Sequence, residues 1–312
     1  LAVYLSKAGH KVTIYHRETK NSIKLKTTYK HVKLPDLIIP RDILFRSIAN
    51  QSNIKDLTFI AVPTHAIIDS LKTINVDNCN LVILSKGFDL KTGLLPIDNL
   101  VNTININLNK IAVLSGPNHA EEIADNKPTA TTIASLDSVF NKKLQILLSS
   151  KTIRVYASND INGVQLGGAV KNVIAIAAGI CSGLNLGDNA LASLITRGMN
   201  ELLELSSLFN VKSKTLYGLS GLGDLIGTCY SIHSRNRKLG LLISKGNTLT
   251  NAQNSIGMAV EGINSARKIN NLIVENNLNM PICSEVYSIL FEETDPAESF
   301  NRLMVRDLKN ES

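Results

Sequence analysis

Hydrophobic rhythm changes abruptly half-way along this chain, and that change limits the folds open to it. In the first half, short and nearly continuous apolar runs recur: Lys11–Tyr15, Leu57–Pro63, Leu81–Ser85 and Ile111–Ser115. Runs without polar alternation are expected of strands covered on both faces. Helix-like segments lie between them, near Asp42–Asn50, His65–Ile74, Gly93–Ile104 and Asn118–Asp125. Strand and helix in alternation imply a parallel sheet wound with right-handed crossovers. Two later runs, Thr129–Ser135 and Thr152–Ala157, can extend that sheet. From Ile161 onward helical periodicity takes over, with starts expected at Asn159 or Asp160, Asp188, Ser213, Asn247, Glu261 and Pro281. Pro281 and Pro296 suit first-turn positions. The reading is a Rossmann-like α/β half over residues 1–157 and an all-α half over 158–312. No linker separates them, so the halves should pack closely and share a cleft.

The beginning is anomalous. Leu1–His10 reads as the end of a helix, stopped at Gly9 and His10, with a strand directly after it. In a dinucleotide-binding fold a strand and a GxGxxG loop should precede that helix. Neither is present, so the expectation is a sheet without its first strand and glycine loop, truncated at the N-terminus. Lys11–Tyr15 and Leu57–Pro63 would then flank a gap.

Composition narrows the function classes. With 44% hydrophobic and 19% charged residues in 312, the chain can bury a core without disulfides or metals. Its Lys and Arg give a net charge of +7 but are spread out, which argues against a nucleic-acid partner. An anionic metabolite or a merely solvated basic surface both fit. Cys79, Cys181, Cys229 and Cys283 lack metal-ligand spacing and read as reduced, buried thiols of a cytoplasmic protein. No signal peptide is evident, and the longest apolar stretch, Val173–Cys181, is about half the length a bilayer needs. No membrane span and no metal site are expected.

Six clusters could carry chemistry, each with a plainer alternative. Ala61-Val62-Pro63, Ser85-Lys86-Gly87 and Ser115-Gly116-Pro117-Asn118 each end a strand. All three would aim at the sheet edge where nucleotides bind, though each alone is an ordinary turn. Gly167-Gly168-Ala169-Val170-Lys171-Asn172 sets a lysine among small apolar residues. Such a lysine either snorkels to water or is desolvated, and a desolvated one exchanges protons near neutral pH. Gly218–Leu225 is a glycine-rich turn ending near Asp224, which is either a helix cap or a site carboxylate. Ser234-Arg235-Asn236-Arg237 suits phosphate oxygens, or is a solvated basic turn.

Taken in order, these clusters resemble the bacterial NAD(P)-dependent glycerol-3-phosphate dehydrogenases over nearly the whole chain. The resemblance runs through IAVPTHA, SKGFDLKTG, LSGPNHAEEIA, GVQLGGAVKNVIAIAAGI, NALASLITRGMNE, GLSGLGDLIGTC, SRNRKLG, AVEG and MPICSEVY. It implies interconversion of dihydroxyacetone phosphate and sn-glycerol 3-phosphate with NADP(H) or NAD(H), supplying glycerol phosphate for phospholipid synthesis. It also implies a small phosphorylated substrate and allows a homodimer. Lys171 would be the catalytic proton donor and acceptor. Lys86, Gly116, Asn118, Asn172, Asp224, Thr228, Ser234, Arg235 and Asn236 would bind substrate. Arg17, Lys86, Ala120, Arg235, Ala259 and Glu261 would meet the cofactor. Arg17, at the ribose end, would favour the 2′-phosphate of NADP(H).

The chain departs from the family's pattern in several places. Asn118 stands where Ser or Thr is usual, His119 where Phe is, Leu191 where Arg is, and Ala259 where Val is. His119 reads as a packing change rather than a new base. Two competing expectations are a degenerate binding protein without catalysis and a related lysine-dependent β-hydroxyacid dehydrogenase. GLGDL followed by SRNR favours glycerol phosphate over the latter.

Overall fold

The computed structural model describes residues 1–17, 25, 27–31, 34–48, 54, 57–72, 74–76, 79–104, 106–308 and 310–311. Helix α1 (Ala2–Lys7) ends where expected, its last turn closed by a bond from His10 N to Leu5 O. Strand β1 (Thr13–His16) follows, then the short antiparallel pair β2 (Lys30–His31) and β3 (Leu34–Ile38). Strand β4 (Leu44–Ser47) pairs in parallel with β1. The segment near Asp42–Asn50 was expected to be helical, and its described part is this strand instead. Its alternating exposure has period two, and four residues are too few for helical periodicity to compete with a strand partner.

The main sheet has five strands in the order β5 (Leu57–Ile60), β6 (Asn80–Ile83), β7 (Ile111–Ser115), β8 (Thr129–Ser135) and β9 (Ile153–Ser158). Pairing is parallel except between β7 and β8, which run antiparallel. The wholly parallel expectation is therefore corrected. Residues 116–128, with the short helix α2 (Ala120–Ala124), turn the chain straight back along β7, and an antiparallel neighbour needs no crossover. Helix α3 (Ser138–Leu148) supplies the crossover that makes β8 and β9 parallel. Strands β1 and β5 fall in separate sheets, although Val12, Leu57 and Phe59 pack against one apolar cluster.

Both faces of the main sheet are covered. Leu81, Ile83, Ile111 and Val113 face one cluster with Ile67, Ile97 and Leu100, while Val82, Ala112, Leu114 and Ile133 face another with Leu5, Leu144 and Leu148. Neighbouring residues of β6 thus serve opposite cores, which explains the unbroken apolar runs.

After β9 only helices follow among the described residues. Helix α4 (Ile161–Gly183) is capped by Asp160 and is buried almost throughout. Around it pack α5 (Asp188–Ser206), α6 (Ser213–Leu216), α7 (Asp224–Tyr230), α8 (Arg235–Ile243), α9 (Leu249–Ile256), α10 (Glu261–Asn276), α11 (Pro281–Phe291) and α12 (Pro296–Met304). A π-turn at Leu219–Gly223 leads into α7. Thr248 caps α9, one residue beyond the expected Asn247 start, and both helix-starting prolines sit in first turns. By length and composition α4 could span a membrane, which the short stretch Val173–Cys181 had not suggested, but its apolar window is entirely covered by protein. Each fully buried Val or Ile contributes about 1.5–3 kcal/mol. A helix this rich in them is core, and core burial is what acts on its single lysine.

Candidate active site

Lys171 stands near the middle of α4 and is buried with it. Its Nζ donates to Asp224 Oδ1 at 2.5 Å and to Thr228 Oγ1 at 2.8 Å. Asp224 and Thr228 lie one turn apart on α7, so one helix face presents both. Asp224 opens α7 without capping it. The helix-cap alternative is thereby set aside: its carboxylate serves two lysines.

The second is Lys86, from the loop after β6, whose Nζ lies 2.8 Å from Asp224 Oδ2. Lys86 also donates to Gly116 O and Asn118 Oδ1, each at 3.0 Å. Gly116 takes φ +145°, and a Cβ there would stand 3.0 Å from Thr131 Cα, so glycine is required for this carbonyl to meet the lysine. On α4, Gly168 makes room for the Lys86 stem: a Cβ there would lie 3.2 Å from Lys86 Cγ. Three chain segments distant in sequence therefore meet at one carboxylate.

Electrostatics follow from burial. Burial lowers the Lys171 pKa to about 8, against the pull of Asp224, which raises it. For Asp224 burial acts upward, yet Lys171 and Lys86 outweigh it and hold the carboxyl below its ordinary value. Lys171 can thus gain and lose a proton near neutral pH beside a fixed negative charge.

The other expected residues gather in two groups. Asn236 Nδ2 donates to Asn172 Oδ1 at 2.8 Å, and Asn236 Oδ1 accepts from Gly262 N at 3.0 Å, tying α4, α8 and α10 together. Ser234 is buried and caps α8 through Arg237 N, so the alternative of a solvated basic turn does not hold for this residue. Arg235 is exposed, with NH1 2.7 Å from Ala259 O. Glu261 heads α10 and accepts from Thr64 N at 3.3 Å, joining the helical half to the loop after β5. Burial raises the Glu261 pKa, and the Thr64 backbone bond opposes it. Ala120 begins α2 and is exposed. Arg17 is exposed just past β1, outside the lysine–aspartate cluster.

The sequence reading missed some participants. Thr131, on β8, accepts from Asn118 Nδ2 at 3.4 Å and donates to Ser115 O at 2.9 Å, fixing the loop that carries Asn118. A strand threonine gives no signal of such a role. Thr64, directly after Pro63, was within reach of sequence reasoning because it continues a strand-end motif. His119 lies beside the cluster, with a Nε2 that is buried and has no partner among the described residues. Glu261, Gly87 and the unpartnered buried hydroxyl of Ser265 crowd the strand-end loops, where a Cβ on Gly87 would stand 3.4 Å from Ser265 Oγ. Backbone without side chain, an orphan hydroxyl and strand ends in one place suit a dinucleotide.

A parallel-rich sheet whose strand-end loops meet a buried lysine on an all-α half defines a Rossmann-like, two-part dehydrogenase. Comparison with known proteins is more specific. The model of the NAD-dependent glycerol-3-phosphate dehydrogenase N-terminus matches residues 1–141, and that of the C-terminus residues 160–301. A glycerol-3-phosphate dehydrogenase (NAD(P)+) of Fusobacterium nucleatum is 41% identical over 100% of this chain and 94% of its own length. Its counterpart in a Thermoanaerobacter species is 38% identical over the same shares. The crystal structure of glycerol-3-phosphate dehydrogenase from Coxiella burnetii superposes with a TM-score of 0.89 at 34% identity, covering 98% of this chain and 95% of that one. The chain belongs to the NAD-dependent glycerol-3-phosphate dehydrogenase family.

Proposed function

We propose that this protein reduces dihydroxyacetone phosphate to sn-glycerol 3-phosphate, and reverses the reaction, with Lys171 as the acid and base. NAD(P)H, when bound, supplies the hydride. The Lys171 ammonium donates a hydrogen bond to the ketone oxygen and passes it a proton as negative charge develops there. In the reverse direction neutral Lys171 takes the proton of the C2 hydroxyl. Asp224 orients Lys171 and balances its charge, and Thr228 fixes the remaining direction of the ammonium. Lys86, Gly116 and Asn118 position substrate against the strand ends, with Asn172 beside Lys171. Ser234, Arg235 and Asn236 hold the phosphate. Arg17, Lys86, Ala120, Arg235, Ala259 and Glu261 receive the cofactor, with NADP(H) favoured through Arg17.

The observation that carries this reading is a buried lysine, 2.5 Å from a buried aspartate, with its pKa lowered to about 8. A degenerate binding protein would have no need of that pair. The proposal includes a division near Ala157 into a dinucleotide-binding part and a catalytic part. It also places a homodimer in the cytoplasm, supplying glycerol phosphate for phospholipids.

The test is kinetic. Lys171→Ala should lower kcat by roughly a hundred- to ten-thousandfold, as loss of a general acid does, while dihydroxyacetone phosphate still binds. Arg235→Ala should mainly raise KM, because its contact with a non-reacting phosphate exists in ground and transition states alike. Near-normal kcat in Lys171→Ala would assign the proton to another group.

A further inference from the structure

Helix α3 shows solvent a face that is both basic and apolar. Val139, Lys142, Lys143 and Ile146 follow one another at the three- and four-residue spacing of one helix face, and all are exposed. Val139 is 62% exposed and Ile146 67%. The opposite side of the helix buries Leu144 and Leu148 with Ile133 and Val155 of the sheet. A groove of about 610 Å3 runs between α3 and strand β9. Lys142, Gln145 and Ile146 line it from α3, Lys151 from the turn, and Arg154 and Tyr156 from β9. Arg154 and Tyr156 are two apart and share the exposed side of the strand. Arg154 Nε donates to the Tyr156 hydroxyl at 3.1 Å, and the guanidinium lies 5.5 Å from the ring centroid.

The positive charge of this face is unanswered. Lys142 donates to the neutral Gln145 Oε1 at 3.1 Å, and none of Lys142, Lys143, Lys151 and Arg154 forms an ion pair among the described residues. No carboxylate lines the groove. The single acid between Leu136 and Tyr156 is Asp137. Its Oδ1 is taken up in capping α3, where it accepts from Val139 N and Phe140 N.

Cations and apolar side chains on one face narrow the occupant. A free phosphate would use the charges and leave Val139 and Ile146 in water. The same face of a second copy would set four cations against four. An anionic bilayer surface meets both features. Its headgroups attract the lysines and the arginine, while apolar side chains enter the boundary between headgroup and acyl chain. Tyrosine, with an apolar ring and a polar tip, suits that boundary as well.

We propose that the α3–β9 face is a reversible docking surface for an anionic membrane, with Lys142, Lys143, Lys151 and Arg154 on the headgroups and Val139, Ile146 and Tyr156 at the acyl boundary. It uses none of the residues assigned to the dehydrogenase site and stands independently of that assignment.

The experiment sediments the full chain with vesicles of mixed phosphatidylglycerol and phosphatidylcholine, and with vesicles of phosphatidylcholine alone. The protein should bind the mixed vesicles and leave the neutral ones. Lys142→Gln combined with Lys143→Gln should weaken binding by roughly thirtyfold, about fivefold for each cation withdrawn from an anionic surface. Sodium chloride at about 0.5 M, which shortens the Debye length to a few ångströms, should release most of the bound wild type. Ile146→Ser should weaken binding severalfold and keep the salt dependence. Both variants should retain wild-type kcat and KM for dihydroxyacetone phosphate without vesicles, since each changes only exposed positions outside the site. No binding to mixed vesicles, equal binding to neutral ones, or full binding by the glutamine variant overturns the proposal. Unchanged binding in Ile146→Ser would reduce the contact to counterions and refute insertion at the acyl boundary. A short DNA duplex held more tightly than the vesicles would make this a general polyanion surface. Light scattering that shows a changed assembly size in the glutamine variant would make it an interface between copies. Either result refutes membrane docking.

Discussion

Asp224 answers to two lysines at once, and this makes Lys171 tunable. Burial lowers the Lys171 pKa and the carboxylate opposes it, leaving a value of about 8. Asp224→Asn removes that support, so Lys171 should lose its proton at lower pH than in the wild type. Ketone reduction needs the ammonium form. The alkaline limb of kcat/KM for reduction should therefore move to lower pH, and an unmoved limb would mean that another group sets it. Arg17 is exposed beyond β1, and on the proposed function it receives the cofactor. Arg17→Ala should weaken NADPH by roughly tenfold or more, the cost of one bond to a charged group, and leave NADH nearly untouched. Titration of both reduced cofactors by fluorescence checks this, and equal losses would make Arg17 a surface residue. Most residues of the lysine–aspartate cluster were legible because glycine, lysine and aspartate recur in recognisable strings around them. Thr131 was not, since its role depends on β8 lying beside the Asn118 loop.

Helix α11 illustrates how an element, rather than a catalytic residue, sets a pH response. Glu201, on α5, accepts from Ile282 N at 2.6 Å and Cys283 N at 2.9 Å, binding the free amides at the start of α11. Burial raises its pKa to about 7, against the lowering by those two backbone bonds. The folded state thus holds a proton that the unfolded chain releases near pH 4.5. Between about pH 4.5 and 7 the native state binds more protons than the unfolded one, so this contribution is complete at the acid end and is lost as pH rises through 7. Its size is about 3 kcal/mol at one kcal-scale step per pKa unit. Glu201→Gln should lower stability at pH 5 and flatten the decline between pH 5 and 8 in urea melts. A slope identical to the wild type would acquit Glu201. Elements themselves were read well where length favoured one answer, as in α4 and α5. They were misread at Leu44–Ser47 and in the direction of β8, because short runs and strand polarity are settled by neighbours that periodicity does not encode.

At the scale of the molecule, the change from strands to helices in the sequence marks the junction where the site forms. Strand β9 ends at Ser158 and α4 begins at Ile161, so the core helix leaves the sheet almost at once. Lys86–Asp224 and Thr64–Glu261 then cross between the two halves. Sequence could show both halves but not these crossings, whose partners are 138 and 197 residues apart. The net charge of +7 acts at this same scale. A phosphorylated substrate carries nearly two negative charges at neutral pH, and the exposed Arg235 offers its charge to solvent. Attraction over such distances is screened once the Debye length falls below about 10 Å, near 0.1 M salt. With the cofactor saturating, KM for dihydroxyacetone phosphate should rise several-fold between about 0.02 and 0.5 M sodium chloride, beyond one Debye length of change. Unphosphorylated dihydroxyacetone, tested as a poor substrate at high concentration, should show no such rise. Equal salt sensitivity for both would place the effect on folding or cofactor binding and detach the net charge from substrate capture.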